Sequence, residues 1–227
     1  MQINTQPTER LVHESSYLYV HEVWRTIQGE GPHAGRPAVF VRLSGCNLCC
    51  PLCDTDYTSV NKLMSVSDLR LEILTKAQKG DLVVFTGGEP LRQNIGPIVH
   101  SLLGLVDIQI ETNGSVFLED FPYHLITVVC SPKVPKIHPK LKGRIHAWKY
   151  VLKAGEVSEE DGLPTKCLGY DFPPARRPEF DKDDIFVQPC DEQDEEMNRL
   201  NQEATVTTCM KYGYRFALQV HKIIGLP

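Results

Sequence analysis

The chain of 227 residues lacks both the long apolar runs of a membrane protein and the positive charge of a general nucleic-acid binder. No apolar stretch approaches the ~20 residues that a membrane-spanning helix needs. The formal net charge is −5 at pH 7, which argues against a basic face for phosphates. Residues 1–16, MQINTQPTERLVHESS, have no apolar core of a secretory signal. We therefore expect a cytoplasmic protein with no nucleic-acid or membrane partner.

The chain also lacks repeats, low-complexity tracts and a clear linker, so we predict a single domain over 1–227. Residues 154–183 are rich in proline and charge, and predict a surface excursion. Apolar and β-branched runs predict strands at 17–24, 37–43, 82–86, 106–111, 125–130, 147–153, 184–188 and 214–220. Helical patterns fall at 65–78, 95–105 and 191–213. This alternation predicts an α/β fold, an open sheet or a partial barrel with chemistry at the carboxyl ends of its strands.

What the chain does have is a concentration of cysteine: four of its eight cysteines lie within GCNLCCPLCDTDY, residues 45–57. In a reducing compartment such a group indicates a metal site or a reactive site before disulfides. A structural zinc site normally takes four protein ligands, and Cys49 and Cys50 are adjacent, which hinders convergence on one small ion. Three thiols can instead hold an iron–sulfur cluster with one iron open to an exogenous ligand. The loop alone leaves both interpretations open.

A second motif decides between them. The spacing Cys46-x3-Cys50-x2-Cys53 after an early strand, followed by TGGEP at 86–90 after another strand, resembles the radical S-adenosylmethionine superfamily. Alone, the Gly-Gly pair would indicate only a tight turn. The resemblance implies a 4Fe-4S cluster on Cys46, Cys50 and Cys53, with Cys49 as a non-ligand.

The resemblance narrows to one family through blocks that cover nearly the whole chain. These are TIQGEGPHAGRPAVFVRLSGCNL (26–48), CDTDY (53–57), TGGEPL (86–91), ETNGS (111–115), CSPK (130–133), QPCDE (188–192) and LQVHKIIGLP (218–227). They resemble the 7-carboxy-7-deazaguanine synthases, radical lyases of queuosine and 7-deazapurine biosynthesis. The resemblance implies a modified, partial (β/α) barrel with few helices. It also implies conversion of 6-carboxy-5,6,7,8-tetrahydropterin to 7-carboxy-7-deazaguanine with loss of ammonia.

The family's site residues carry over to matching positions. The adenosylmethionine contacts implied are Leu52, Cys53, Asp54, Gly88, Glu89, Ser131, Pro132, Lys133, Gln188, Pro189, Cys190 and Asp191. Leu52 stands where an aromatic residue is usual in the superfamily, and Cys190 where methionine is usual in the family. The substrate contacts implied are Ile27, Gln28, Gly29, Glu30, Arg42, Thr86 and Pro227.

Several of these roles also make chemical sense from the residues. Arg42 offers a bidentate cation to the substrate carboxylate, and Pro227 its terminal carboxylate to the pterin amino group. For Mg²⁺, the residues alone favour Asp54 or Asp56, whereas the resemblance implies Thr55.

Two alternatives explain part of the pattern. A small activase of a glycyl-radical enzyme would share the three cysteines and the GGEP segment, and would need a large protein partner. A non-enzymatic zinc module would explain only the thiols. The family resemblance implies instead a small pterin substrate, an electron donor such as flavodoxin or ferredoxin, and a homodimer.

Overall fold

The computed structural model describes residues 3–14, 16–179 and 184–226, and its central element is one sheet of nine strands. The strands are β1 (Tyr17–Ile27), β2 (Pro37–Leu43), β3 (Lys62–Ser65), β4 (Leu82–Gly87), β5 (Asp107–Thr112), β6 (Thr127–Cys130), β7 (Ala147–Leu152), β8 (Asp184–Pro189) and β9 (Arg215–Phe216). Their order in the sheet is β3-β1-β2-β4-β5-β6-β7-β8-β9.

All neighbouring pairs from β2 to β9 are parallel, whereas β1 runs antiparallel to both β2 and β3. Within the described residues β3 and β9, at the two ends of the sheet, do not pair with each other. The sheet is therefore an unclosed barrel. The prediction of a partial α/β barrel with few helices is confirmed.

The helices in the described residues are α1 (Val66–Lys76), α2 (Gly96–Leu102), α3 (Glu195–Tyr212) and the single-turn α4 (Val220–Ile223). α1 begins after Ser65, whose side chain accepts the Asp68 amide at 3.1 Å, and α3 begins after Asp194 in the same way. Such caps satisfy amides that have no partner within the helix. Gly213 ends α3 at φ 74°, a conformation that glycine adopts readily.

The alternation of side chains along each strand separates the core from the opposite face of the sheet. On β2, Val39, Val41 and Leu43 are buried in the main core. Phe40 and Arg42 point to the other face, where they line a pocket. The same alternation on the other parallel strands places polar side chains beside them.

The observed elements differ from the predicted ones in three places. The short β3 was not predicted, and neither was the antiparallel direction of β1. The strand predicted at 214–220 is only Arg215–Phe216. The chain leaves the sheet there because Val220 donates its amide to the Gly29 carbonyl at 3.1 Å, and this contact draws the following turn towards the end of β1.

The predicted surface excursion is only partly at the surface. Its described part, 154–179, contains no helix or named strand, and two isolated bridges join Val157 to Pro164 and Cys167 to Tyr170. Leu163, Cys167 and Ala175 are buried. Residues 180–183 lie outside the described residues, and the single domain stays a prediction. No helix in the described part of the chain is long and apolar enough to cross a membrane.

Candidate active site

A pocket of about 380 Å³ lies where the carboxyl halves of the strands meet the loops that follow them. It brings together residues from almost every motif in the sequence. The predicted site residues that line it are Ile27, Gln28, Glu30, Arg42, Cys46, Cys50, Leu52, Cys53, Asp54, Thr55, Thr86, Gly88, Ser131, Lys133, Gln188, Pro189, Cys190 and Asp191.

The three predicted cluster ligands share one part of this pocket, on the loop after β2. Burial raises the pKa of the Cys46 and Cys50 thiols to about 12 and also raises that of Cys53. The Leu48 amide donates to Cys46 Sγ over 3.4 Å. In the described part of the chain, no three His, Cys, Asp or Glu side chains are placed to hold one metal ion. Three thiols on one loop are a donor set that fits a 4Fe-4S cluster, in which each cysteine binds a different iron.

Cys49 faces away from the pocket. Its Sγ donates to the carbonyl of Gln6 at 3.1 Å and accepts from Asn4 Nδ2 at 3.9 Å. It is not among the residues that line the pocket. The thiol is thus directed towards the N-terminal segment.

The Gly-Gly pair allows the end of β4 to lie directly against the cysteine loop. A Cβ on Gly88 would lie 2.3 Å from the Gly45 carbonyl oxygen and 2.6 Å from Cys46 Cβ. A Cβ on Gly87 would lie 2.3 Å from the Leu43 carbonyl oxygen, and its φ is +145°. Both glycines are therefore needed for close backbone approach, in addition to any contact with a ligand.

Glu89 was predicted as an adenosylmethionine contact, but its side chain is fully buried behind the pocket. Its carboxylate accepts hydrogen bonds from the amides of Leu91 and Asn113 and from the Thr112 hydroxyl, at 2.7–3.0 Å. Burial raises the pKa of this carboxyl to about 7, although the three hydrogen bonds act to lower it. The structure thus gives the Glu89 side chain a supporting position beneath the Gly-Gly turn.

Gly29 and Pro132 also fail to line the pocket, because other segments cover them. A Cβ on Gly29 would lie 2.0 Å from His221 Nδ1. The carbonyl of Pro132 accepts the Cys167 thiol at 3.5 Å. Pro227 lies outside the described residues.

Two polar groups from later strand ends face the pocket. Lys133 donates from Nζ to the carbonyl oxygen of Ser131 at 2.8 Å, so its ammonium is held beside the end of β6. Gln188 is 5% exposed, and its Oε1 has no hydrogen-bond partner in the described structure. A buried acceptor without a partner is costly, which points to a ligand that donates a hydrogen bond here.

Arg42 presents an unpaired cation to the pocket. Its guanidinium forms no hydrogen bond or ion pair with the described residues, and its central carbon lies 4.9 Å from the centroid of the Trp24 ring. Trp24 stacks on Phe40 with a centroid separation of 5.1 Å. Both aromatic rings also line the pocket. The aromatic pair holds the guanidinium by a cation–π contact while its N–H donors stay available.

A buried polar network lies on the neighbouring strands. Lys149 pairs with Glu30, and Glu111 accepts from Gln28 at 3.0 Å and from Thr86 at 3.3 Å. Burial opposes ionisation of Glu30, but the charge and hydrogen bond of Lys149 outweigh it and lower its pKa to about 2. Burial likewise opposes the charge on Lys149, but the carboxylates of Glu30 and Glu111 raise its pKa. The pair is therefore charged at neutral pH.

The segment after β9 closes this side of the pocket. Gln219 donates to Glu30 at 2.8 Å. Lys222 pairs with Asp191 at 2.8 Å and with Asp54 at 3.6 Å, so one ammonium joins the end of β8 to the cysteine loop.

The acidic residues after Cys53 separate into two roles. Asp56 does not line the pocket, and its carboxylate accepts the amides of Thr58 and Ser59 at 3.0 Å. Thr55 and Asp54 both line it, with 3.4 Å between the Thr55 hydroxyl and an Asp54 oxygen. Asp56 is thereby occupied as a turn cap.

A tight turn at 167–170 brings the excursion against the cysteine loop. Leu168 and Gly169 have φ values of 42° and 89°, and the Leu52 amide donates to the Leu168 carbonyl at 3.0 Å. A Cβ on Gly169 would lie 2.8 Å from Pro51 Cβ. Leu168 lines the pocket as a result.

Sequence reasoning missed a number of the pocket residues. They are Trp24, Thr26, Phe40, Leu48, Tyr57, Gly87, Glu111, Thr112, Asn113, Lys149, Val151, Leu168, Gln219, His221 and Lys222. A lysine within the apolar strand AWKYVLK was an available signal for Lys149, because lysine is rarely buried without a partner.

No family model matches the chain. Similar proteins of known function identify its family. A 7-carboxy-7-deazaguanine synthase of Rhodospirillum rubrum is 40% identical in an alignment of 231 positions, gaps included, that spans 92% of this chain and 92% of that protein. The chain belongs to the 7-carboxy-7-deazaguanine synthase family. A synthase of Rickettsia prowazekii is 35% identical, over 94% of this chain and 90% of that protein.

A solved structure agrees in fold. The crystal structure of QueE from Escherichia coli aligns with a TM-score of 0.66 at 23% identity, covering 90% of this chain and 95% of that chain. The two relatives above show that the protein is an enzyme of this family, and the family implies a 4Fe-4S cluster and S-adenosylmethionine. Neither the activase nor the zinc module finds support in these comparisons.

Proposed function

We propose that this chain converts 6-carboxy-5,6,7,8-tetrahydropterin to 7-carboxy-7-deazaguanine and ammonia in the pocket described above. One observation carries the proposal: three thiols share the pocket with the guanidinium of Arg42, which has no hydrogen bond or ion pair with any described residue. The substrate carries a carboxylate that needs a cation, and the chemistry needs a radical source near it.

Cys46, Cys50 and Cys53 would hold the cluster. When bound, the cluster and adenosylmethionine supply a carbon radical that can remove hydrogen from C6 of the pterin. The protein positions the reactants and excludes competing reactions. Its own contribution lies in the groups around the pocket.

On the adenosylmethionine side we assign Leu52, Asp54, Gly88, Ser131, Lys133 and the strand end at 188–191. The unpartnered Gln188 Oε1 supports this assignment, because a bound ligand's N–H or O–H would complete it. Glu89 follows Gly88 in the chain, and its carboxylate binds Thr112 and Asn113 at the end of β5.

On the substrate side we assign Arg42 to the carboxylate, with Thr86, Ile27, Gln28 and Glu30 along the heterocycle. The ionised Glu30 and the amide of Gln28 can accept from and donate to a ring that carries both kinds of group. Pro227 is assigned to the pterin amino group. The position of residues 219–222 at the pocket supports this, since the Leu226 amide also donates back to the His221 carbonyl at 2.9 Å.

We assign Mg²⁺ to Thr55. Asp56 is occupied by its own turn, and Asp54, which pairs with Lys222, is assigned above to adenosylmethionine. Thr55 also lines the pocket, and its hydroxyl oxygen can bind an octahedral ion completed by substrate and water. A flavodoxin- or ferredoxin-type donor, a homodimer and a cytoplasmic location complete the proposal.

Anaerobic turnover tests the assignment. Reconstituted protein with reductant, adenosylmethionine and Mg²⁺ should convert the carboxytetrahydropterin to a product with the mass of 7-carboxy-7-deazaguanine, with ammonia released in equal amount. Adenosylmethionine cleavage without any pterin product would contradict the substrate assignment.

A further inference from the structure

Residues 4–12, which we call the N-terminal strap, run along the outside of the cysteine loop (residues 44–58). The Asn4 amide donates to the Pro51 carbonyl at 2.8 Å. The Glu9 amide donates to the Cys46 carbonyl at 2.7 Å. Strap and loop are therefore joined by backbone hydrogen bonds at both ends of the cysteine motif.

One side chain of the strap inserts into the loop just after the third cysteine. Gln6 Nε2 donates to the Thr55 carbonyl at 2.8 Å. Gln6 Oε1 accepts the Tyr57 amide at 2.8 Å and the Thr58 hydroxyl at 3.0 Å. The Thr55 carbonyl also accepts the Cys53 thiol at 3.8 Å. The Gln6 amide thus holds the backbone at Thr55, the residue proposed for Mg²⁺, and at Tyr57. The Thr55 carbonyl in turn contacts Cys53, a proposed cluster ligand.

A buried cation ties the strap to the beginning of the loop. Arg92 is 3% exposed and donates to the Ser44 carbonyl at 2.8 Å and to the Arg10 carbonyl at 2.7 Å. It also pairs with Glu9 at 3.1 Å. The loop therefore has fixed points at residue 44 and at residues 55–58, and both involve the strap.

The loop depends on such contacts, because residues 44–58 contain no helix or strand. A loop without regular structure is ordered only by its side-chain and tertiary bonds. We propose that the N-terminal strap is part of the cofactor site, and that Gln6 is a positioning residue that holds 53–58 in the conformation that retains the cluster and Mg²⁺. This inference rests on the proposed cluster ligands.

Hydrogen exchange in metal-free protein tests the contact itself. In Gln6→Ala, the Tyr57 amide loses its acceptor and should exchange at least about tenfold faster. Gln6→Glu keeps an acceptor for Tyr57 but loses the donor to Thr55, so it should have a smaller effect on this amide. Gln202→Ala, at an exposed position of α3, is the matched control and should change nothing.

Cluster retention tests the role. After reconstitution, Gln6→Ala and Gln6→Glu should both lose their iron–sulfur absorbance in air at least about fivefold faster than wild type and the control. Both should also need several-fold more Mg²⁺ for half-maximal activity. If the alanine variant does not fold, cluster loss and the Mg²⁺ requirement can still be measured in Gln6→Glu.

Unchanged Tyr57 exchange in Gln6→Ala would overturn the proposal, as would faster exchange with normal cluster retention and Mg²⁺ dependence. A failure of the proposed function can be distinguished from a failure of this inference. If Cys50→Ala keeps its cluster, the ligand assignment is wrong, whereas the exchange result in metal-free protein is unaffected.

Discussion

Replacement of Arg42 by lysine tests whether the unpaired guanidinium in the pocket binds the substrate carboxylate. Arg42 makes no hydrogen bond or ion pair with the described residues, so the substitution should leave none of their polar groups unsatisfied. Among the described contacts, the change affects only the cation–π contact with Trp24 at 4.9 Å, which is worth about 0.5–1 kcal/mol at a partly exposed site and which a lysine ammonium can also make. The fold should therefore change little in stability.

Substrate binding should suffer more, since a lysine ammonium cannot reproduce a planar, two-bond grip on a carboxylate. A charge-assisted hydrogen bond is worth about 1.5–3 kcal/mol, which corresponds to roughly 10- to 150-fold in affinity. We expect KM for the carboxytetrahydropterin to rise within this range, with adenosylmethionine binding unchanged.

The assay is anaerobic steady-state kinetics with each ligand varied separately. Arg36→Lys is the matched control, because Arg36 precedes the same strand but pairs with Asp107 outside this pocket. Equal loss of affinity for both ligands, or a large loss of stability, would refute the carboxylate role and show Arg42 to be structural.

Three further predictions concern other parts of the site. Cys49→Ala should keep wild-type iron content while Cys50→Ala loses it; the reverse result would show the wrong ligand register. Glu89→Gln should destabilise metal-free protein by about 1–3 kcal/mol in urea unfolding, because its amide would face N–H donors; a more stable variant would mean that charge burial dominates. The folded-state pKa of Glu89 is raised from 4.5 to about 7, so the contribution of Glu89 to the free energy of unfolding should fall as pH rises between these values. The variant should lack this pH dependence. One residue added after Pro227 should weaken pterin binding but not adenosylmethionine binding; full activity with such a tag would remove Pro227 from the site.

The parts of the site that the sequence predicted are those encoded by short, contiguous patterns. The spacing of Cys46, Cys50 and Cys53 and the Gly-Gly pair after a strand are local features, and only their combination indicates one superfamily. The sheet then assembles them, because the carboxyl ends of parallel strands lie side by side.

The parts that were missed depend on register and on segments far apart in the chain. Lys149 meets Glu30 across 119 residues of sequence, and Trp24 meets Arg42 only because β1 turns back antiparallel to β2. Neither pairing has a local signature. Tertiary contacts also shortened the predicted last strand, since residue 220 bonds to Gly29 instead of extending the sheet.

The chemistry of this pocket depends most on what its three thiols hold. Iron, zinc and acid-labile sulfide should be measured in protein that is purified and reconstituted without oxygen. We predict about four irons and four sulfides per chain, lost when Cys46, Cys50 or Cys53 is replaced by alanine. About one zinc per chain with no sulfide would contradict the account.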